Sequence, residues 1–237
     1  LFFPTAFFLA APYSEGLFIT LLLAWVLLLK QKQWWLVAAI GVLLGLTRLN
    51  GVAMMLYPLY LAYVSSGKER RNYALLSVTP LIGLGIYMTY QHFMLGDALG
   101  FLHAQAAWER STSLNPLAIG AKMMAEWREF AGQSLFNPHF IAISLNYAFA
   151  ALGLGLSAWL WVVRREYSLI VLATILLPIL SGTADSFPRL LLPAIPFVTL
   201  AINQQIKNPT ARSLILIISV AGWTFLLTLF TRGYWVA

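Results

Sequence analysis

Cysteine is absent from the 237 residues, so neither a disulfide framework nor a thiolate metal site is available. Charge is scarce: 10% of residues are charged, against roughly 25% in soluble domains. Histidine occurs three times, at His92, His103 and His139, without the spacing of metal ligands, so no metal site is read. No Gly-x-Gly-x-x-Gly or Walker motif is present, which argues against a soluble nucleotide-sugar fold. No Asn-x-Ser/Thr acceptor with x other than proline occurs either.

What remains is apolar. Hydrophobic residues make up 60% of the chain and the mean hydropathy is +0.79, which describes an integral membrane protein. The net charge of +7 does not imply nucleic acid, because the basic residues fall in short clusters between apolar segments. The chain opens inside the apolar run Leu1-Phe2-Phe3, with no basic leader or cleavage site, so no signal peptide is read. We expect residues 1–237 to form a single transmembrane domain, the C-terminal part of a longer chain.

About six apolar segments are candidates to cross a bilayer. Helices are expected at Tyr13–Leu29, Trp34–Thr47, Gly51–Val64, Tyr73–Phe93, Phe140–Val163, Tyr167–Ser181, Phe187–Gln204 and Ser213–Thr231, with Leu1–Ala11 the tail of an earlier one. Trp34–Thr47 and Gly51–Val64 read as a hairpin turning at Arg48-Leu49-Asn50. The basic residues set the orientation. Lys30, Lys32, Lys68, Arg70, Arg71, Arg164, Arg165, Lys207 and Arg212 share one side with the acids Glu69 and Glu166, which makes that side cytoplasmic. Arg48, Arg110, Lys122, Arg128, Arg189 and Arg232 face six acids on the other, outer side.

The segment 94–139 is a long outer loop, which favours function or packing over a bare connection. In it, Asn115-Pro116 reads as an N-cap followed by a first-turn proline. Ile119, Met123, Trp127 and Phe130 would form an apolar stripe, with Lys122, Glu126 and Glu129 opposite: an amphipathic interfacial helix or lid.

Ionisable residues at membrane depth are expensive and mark candidate sites. Pro12-Tyr13-Ser14-Glu15 opens a helix at the outer rim, where Glu15 either serves the helix dipole, in a Ser14-Glu15 capping context, or binds an acceptor hydroxyl or an arginine. Thr47-Arg48-Leu49-Asn50-Gly51 sets an arginine in an apolar hairpin. Its guanidinium matches phosphate bidentately, the alternative being a salt bridge to Glu15 or Asp185, and Asn50 and Gly51 suit a tight turn beside a ligand. Phe101 to Arg110 places His103, Gln105, Trp108, Glu109 and Arg110 together; aromatic faces and hydrogen-bonding groups suit a sugar ring. Asp185-Ser186-Phe187-Pro188-Arg189 precedes Pro193 and Pro196, and Arg189 is the second phosphate candidate unless Asp185 pairs with it at i, i+4.

These motifs, together with Leu1 to Phe8, Leu46 to Gly51, Phe187 to Pro196 and the ending Arg232-Gly233-Tyr234-Trp235-Val236-Ala237, resemble mannosyltransferases of the PIG-V type, in their bacterial branch. That family makes the second mannose transfer of glycosylphosphatidylinositol anchor assembly. The resemblance implies an all-α, polytopic GT-C-like bundle with an outer-face interfacial helix. It implies an inverting glycosyltransferase that moves a hexose, typically mannose, from a polyprenyl-phosphate donor to an extracytoplasmic lipid or glycan acceptor in the bilayer. Arg48 and Arg189 would hold the donor phosphate, while Ser14, Glu15, Asn50, His103, Gln105, Trp108, Arg110 and Asp185 shape the sugar and acceptor sites. The family's catalytic aspartate would lie upstream of Leu1. No cofactor beyond the lipid-phosphate sugar is implied, and nothing in the sequence supports a divalent cation. The bacterial-branch resemblance implies a bacterial plasma membrane over the endoplasmic reticulum, with which the missing glycosylation acceptor is compatible, and the site on the extracytoplasmic face. A transporter or flippase of lipid-linked or anionic solutes is the alternative, since it too uses broken helices.

Overall fold

A computed structural model describes residues 3–105, 115–130, 138–180 and 186–234. Among them the regular structure is helical throughout. The chain's residues group into two compact units, Ser14–Ser111 and Leu1–Tyr13 with Thr112–Ala237. Each is described by itself.

The unit Ser14–Ser111 carries α1 (Glu15–Lys30), α2 (Trp34–Thr47), α3 (Asn50–Ala53), α4 (Leu56–Val64), α5 (Gly67–Ser77), α6 (Thr79–Leu95) and α7 (Gly100–His103). The buried residues of α1 are Glu15, Phe18, Leu22, Trp25, Val26 and Leu29, a stripe at three- and four-residue steps. Trp25 donates its indole N–H to the Val37 carbonyl at 3.0 Å, tying α1 to α2.

Helices α2 and α6 meet through small residues. A Cβ built on Gly41 would lie 2.1 Å from Thr79 Oγ1, one on Gly45 2.0 Å from the Pro80 carbonyl oxygen, and one on Gly83 2.1 Å from the Val42 carbonyl oxygen. Gly41 and Gly45 thus form a Gly-x-x-x-Gly seam that lets two backbones touch.

Prolines decide where these helices break. Pro58 has no N–H for the Met54 carbonyl, and the expected helix Gly51–Val64 splits at Met54-Met55 into α3 and α4. Pro80 likewise leaves the Leu76 carbonyl, which accepts instead from the Thr79 hydroxyl at 2.8 Å. The break is repaired, and Gly67–Leu95 remains long and apolar enough to cross a membrane.

The second unit contains α8 (Pro116–Phe130), α9 (Pro138–Val163), α10 (Arg165–Leu180), α11 (Phe187–Leu190), α12 (Ile195–Gln205) and α13 (Pro209–Thr231). Its core joins Ala150, Ile175, Phe187 and Leu191. Ser157 and Ser168 hold α9 to α10 by a buried hydroxyl pair at 3.1 Å, with the Ser168 hydroxyl also donating to the Ser157 carbonyl at 2.7 Å. The expected helix Phe187–Gln204 is three pieces, α11, a 3-10 turn at Leu192–Ala194 and α12, because Pro193 and Pro196 cannot continue the ladder. Leu1–Ala11 is not the tail of a long helix: among its described residues a 3-10 turn, Ala6–Leu9, is the regular element.

Asn115 caps α8 as read, accepting from the Leu117 amide at 3.0 Å. The polar face of α8 differs from the sequence reading. At roughly 100° per residue, Glu126 lies about 20° from Ile119 and Trp127 about 80° away. Glu126 accordingly turns to α9 and accepts from the Tyr147 hydroxyl at 2.9 Å, while Trp127 is exposed.

Among the described residues three helices, Gly67–Leu95, Phe140–Val163 and Pro209–Thr231, are long and apolar enough to span a membrane, rather than about six. Proline breaks account for two of the shortfalls, and α1 and α10 have 16 residues each, about 24 Å against a ~30 Å core. Exposed Leu214, Leu216, Ile217, Ile218 and Phe225 surround α13, an all-round apolar surface that suits lipid as its solvent.

Candidate functional site

The first candidate constellation forms where α2 ends. Arg48 leaves the helix in an extended conformation, φ −156° and ψ 147°, and the chain re-enters a helix at Asn50. The Thr47 hydroxyl donates back to the Leu44 carbonyl at 2.9 Å, closing the last turn. Gly51 is needed for room rather than for backbone freedom: a Cβ there would lie 2.0 Å from the Leu44 carbonyl oxygen. Asn50, at the head of α3, is half-buried.

Glu15 is the first residue of the buried α1 stripe, and only 1% of it is exposed. Its Oε1 accepts from Arg48 Nη1 at 2.5 Å. The salt bridge weighed as the alternative at Arg48 is therefore present, and Glu15 is the acid that makes it. Arg48 keeps 17% of its side chain exposed, so the anchored arginine is not wholly enclosed. Ser14 is exposed and makes no capping hydrogen bond, so the expected Ser14-Glu15 capping context is not realised.

Between α6 and α7 lies a second cluster of the same unit. Gln91 Oε1 accepts from the Phe101 amide at 3.2 Å, and Phe101 packs on Tyr87 with ring centroids 5.8 Å apart. His103 Nδ1 meets Asp97 Oδ2 at 2.7 Å, and both side chains are exposed. The His103 ring N–H, then the Leu99 amide, hold the Asp97 carboxyl below its ordinary range. Phe101 thus packs the loop onto α6 and His103 faces a carboxylate. Gln105 is half-buried beyond them. Trp108, Glu109, Arg110 and Asp185 lie outside the described residues.

Arg189 belongs to the other unit. Ser186, at φ 68°, starts α11 in the left-handed region that non-glycine residues rarely adopt, and it is buried. Pro188 follows at the helix start and accepts, through its carbonyl, from the buried Thr5 hydroxyl at 2.7 Å. That bond docks the segment Phe3–Tyr13 against α11. The guanidinium carbon of Arg189 then lies 5.5 Å from the Phe8 ring and 5.1 Å from the Tyr13 ring. Phe8 is fully buried and itself packs on Phe230, at 5.3 Å.

The structure therefore joins Glu15 to Arg48 and ranks Phe8 and Tyr13 around Arg189. Sequence reasoning missed Phe8 as a partner for Arg189, and it missed Asn146. That residue is 3% exposed within α9, and its Oδ1 has no hydrogen-bond partner among the described residues. A lone amide in a 26-residue apolar helix was the available signal. Compared with protein-family models, with curated proteins and with solved structures, the chain matches none.

Proposed function

We propose that the protein is a membrane glycosyltransferase with a GT-C-like bundle, moving a hexose, mannose by its resemblance, from a polyprenyl-phosphate donor to an extracytoplasmic lipid or glycan acceptor. One observation supports this best. Arg48 stands in an unwound break between apolar helices, is held by a buried carboxylate and remains partly exposed. Guanidinium fixed in this way is a preorganised donor for phosphate. Charge grows on the phosphate as the glycosidic C–O bond breaks, so contacts from Arg48 strengthen toward the transition state. In the proposed step an acceptor hydroxyl attacks the anomeric carbon and its proton passes to a base. Polyprenyl phosphate departs with the bonding electron pair. The resemblance assigns that base to an aspartate upstream of Leu1, and the membrane to a bacterial plasma membrane.

The test uses full-length protein in liposomes with radiolabelled polyprenyl-phosphate mannose and a membrane lipid extract. Arg48→Lys is the informative variant, because Arg48→Ala would also remove the charge that faces the buried Glu15 carboxylate. Lysine keeps the charge facing Glu15 and loses the fork. Label should enter a new product, and Arg48→Lys should lower turnover about ten- to a hundredfold, the loss of one charge-assisted hydrogen bond. Unchanged turnover in folded Arg48→Lys removes the phosphate role.

A transporter of lipid-linked or anionic solutes is the second reading. It draws on the interrupted helix that each unit contains, with Arg48 before α3 and Arg189 within α11. Labelled lipid or solute crossing the bilayer with no transfer would favour it.

A further inference from the structure

We propose that the unit containing α9, α12 and α13 binds one anionic membrane phospholipid in a groove whose lining includes neither Arg48 nor Arg189. The groove holds about 400 Å³, the order of one acyl chain, and is open on one side. Its walls are Leu152 and Leu156 of α9, Val198 and Ile202 of α12, and Ile215 and Leu216 of α13. Two of its three walls, α9 and α13, are helices apolar and long enough to lie in a membrane, where such a slot fills with lipid. Along α13 it runs from Arg212 to Ser219, about 10 Å at 1.5 Å per residue.

The Arg212 end is built rather than incidental. Arg212 Nε donates to the Ile206 carbonyl at 2.6 Å and Nη2 to the Asn203 carbonyl at 2.7 Å. These bonds terminate α12 and hold the guanidinium at one end of the groove. Around that end, Arg164 donates to Gln204 Oε1 at 2.8 Å, which brings the α9–α10 corner beside the end of α12. Arg164, Arg165, Lys207 and Arg212 therefore gather at one end of the unit, against the single acid Glu166 among its described residues there. An apolar slot closed by a cationic mouth complements an acyl chain carrying an anionic phosphate headgroup. Choline lipids carry their own cation and satisfy the slot without the mouth.

Native mass spectrometry of the full-length protein, taken from vesicles of equal phosphatidylglycerol and phosphatidylcholine, reads the site. The wild type should retain one phosphatidylglycerol in about fivefold or greater preference over phosphatidylcholine, the effect of one or two cations at the headgroup. Arg212→Gln should erase the preference. Because Arg212 also caps α12, Lys207→Gln serves as a second variant that keeps both carbonyl bonds, and it should reduce the preference in a normally folded protein. Ser219→Trp, which fills the groove, should expel both lipids while Arg48-dependent transfer persists. Equal retention of the two lipids by the wild type overturns the proposal, as does phosphatidylglycerol retained undiminished by folded Ser219→Trp. Displacement of phosphatidylglycerol by stoichiometric polyprenyl phosphate would also overturn it, since the groove would then belong to the donor.

Discussion

Arg48 and Arg189, each in its own unit, keep different company: a carboxylate beside one, aromatic rings beside the other. Arg48 is met by a full negative charge, Glu15, itself buried at the head of the α1 stripe. Arg189 lies over the π faces of Phe8 and Tyr13. The first arrangement ties the cation to one partner in one geometry and exacts a heavy penalty if either charge is lost. The second tolerates lateral movement and contributes less, because a ring quadrupole is weaker than a carboxylate. A cation that must hold a substrate phosphate in register is better served by the first. One that must stay in place beside an apolar wall is served by the second.

The largest expected effect follows from breaking the ion pair. Glu15→Ala should destabilise the protein by about 3–5 kcal/mol, since it leaves a largely buried guanidinium uncompensated. Denaturant unfolding in detergent reads this, and a loss below about 1 kcal/mol would show that Arg48 finds water or another acceptor without Glu15. Sharpening the other side needs a gentler change. Tyr13→Leu should lose about 0.5–1 kcal/mol by the same measurement, while Tyr13→Phe keeps the ring face and should be nearly neutral. A Tyr13→Leu effect as large as that of Glu15→Ala would erase the distinction between the two arginines.

Exposed pairs complete the series at its weak end. Lys32 and Glu69 form an ion pair with about half of each side chain in solvent, so Lys32→Ala should leave the unfolding midpoint unmoved. Asp97 and His103 are exposed as well, and their contact is best read by titration. The folded-state pKa of Asp97 is depressed, chiefly by the His103 ring N–H. Its contribution is therefore present above the ordinary carboxylate pKa and is lost as pH falls through the depressed value. His103→Ala should move the Asp97 titration upward in a carboxylate NMR experiment, and an unmoved titration would mean that the contact does not form in solution.

Much of the helical framework was readable because polar punctuation marks it. Gln33 and Arg48 bracket α2, and its limits, Trp34–Thr47, are those expected. Asn115 and Pro116 announce α8 through their capping chemistry. Breaks within helices were harder, since a proline in an apolar run ends a helix in one place and is repaired in another. Pro58 follows the split between α3 and α4, while Pro80 sits beside Thr79, whose hydroxyl bonds the Leu76 carbonyl that the proline leaves. The seam of α2 on α6 is legible in Gly41 and Gly45 at a spacing of four.

At the candidate site, residue type indicated that Arg48 needs an anion, and both phosphate and Glu15 met that need on paper. Choosing between them required knowing that Glu15 falls on the buried stripe of α1, a matter of helical phase that the charge pattern does not carry. For Arg189 the sequence offers phosphate or Asp185 at i, i+4, and it does not offer Phe8 and Tyr13, which are about 180 positions away in the chain. The Thr5 bond to the Pro188 carbonyl belongs to the same docking of the Phe3–Tyr13 segment. Long-range docking of this kind leaves no local periodicity to read.

The measurement that bears most directly on function is transfer of label from radiolabelled polyprenyl-phosphate mannose by full-length wild type and Arg48→Lys, matched for folded protein. If Arg48 holds the donor phosphate, the wild type forms labelled product and the folded lysine variant forms about a tenth of it or less. Equal transfer by the two proteins, or none by the wild type, would contradict that role.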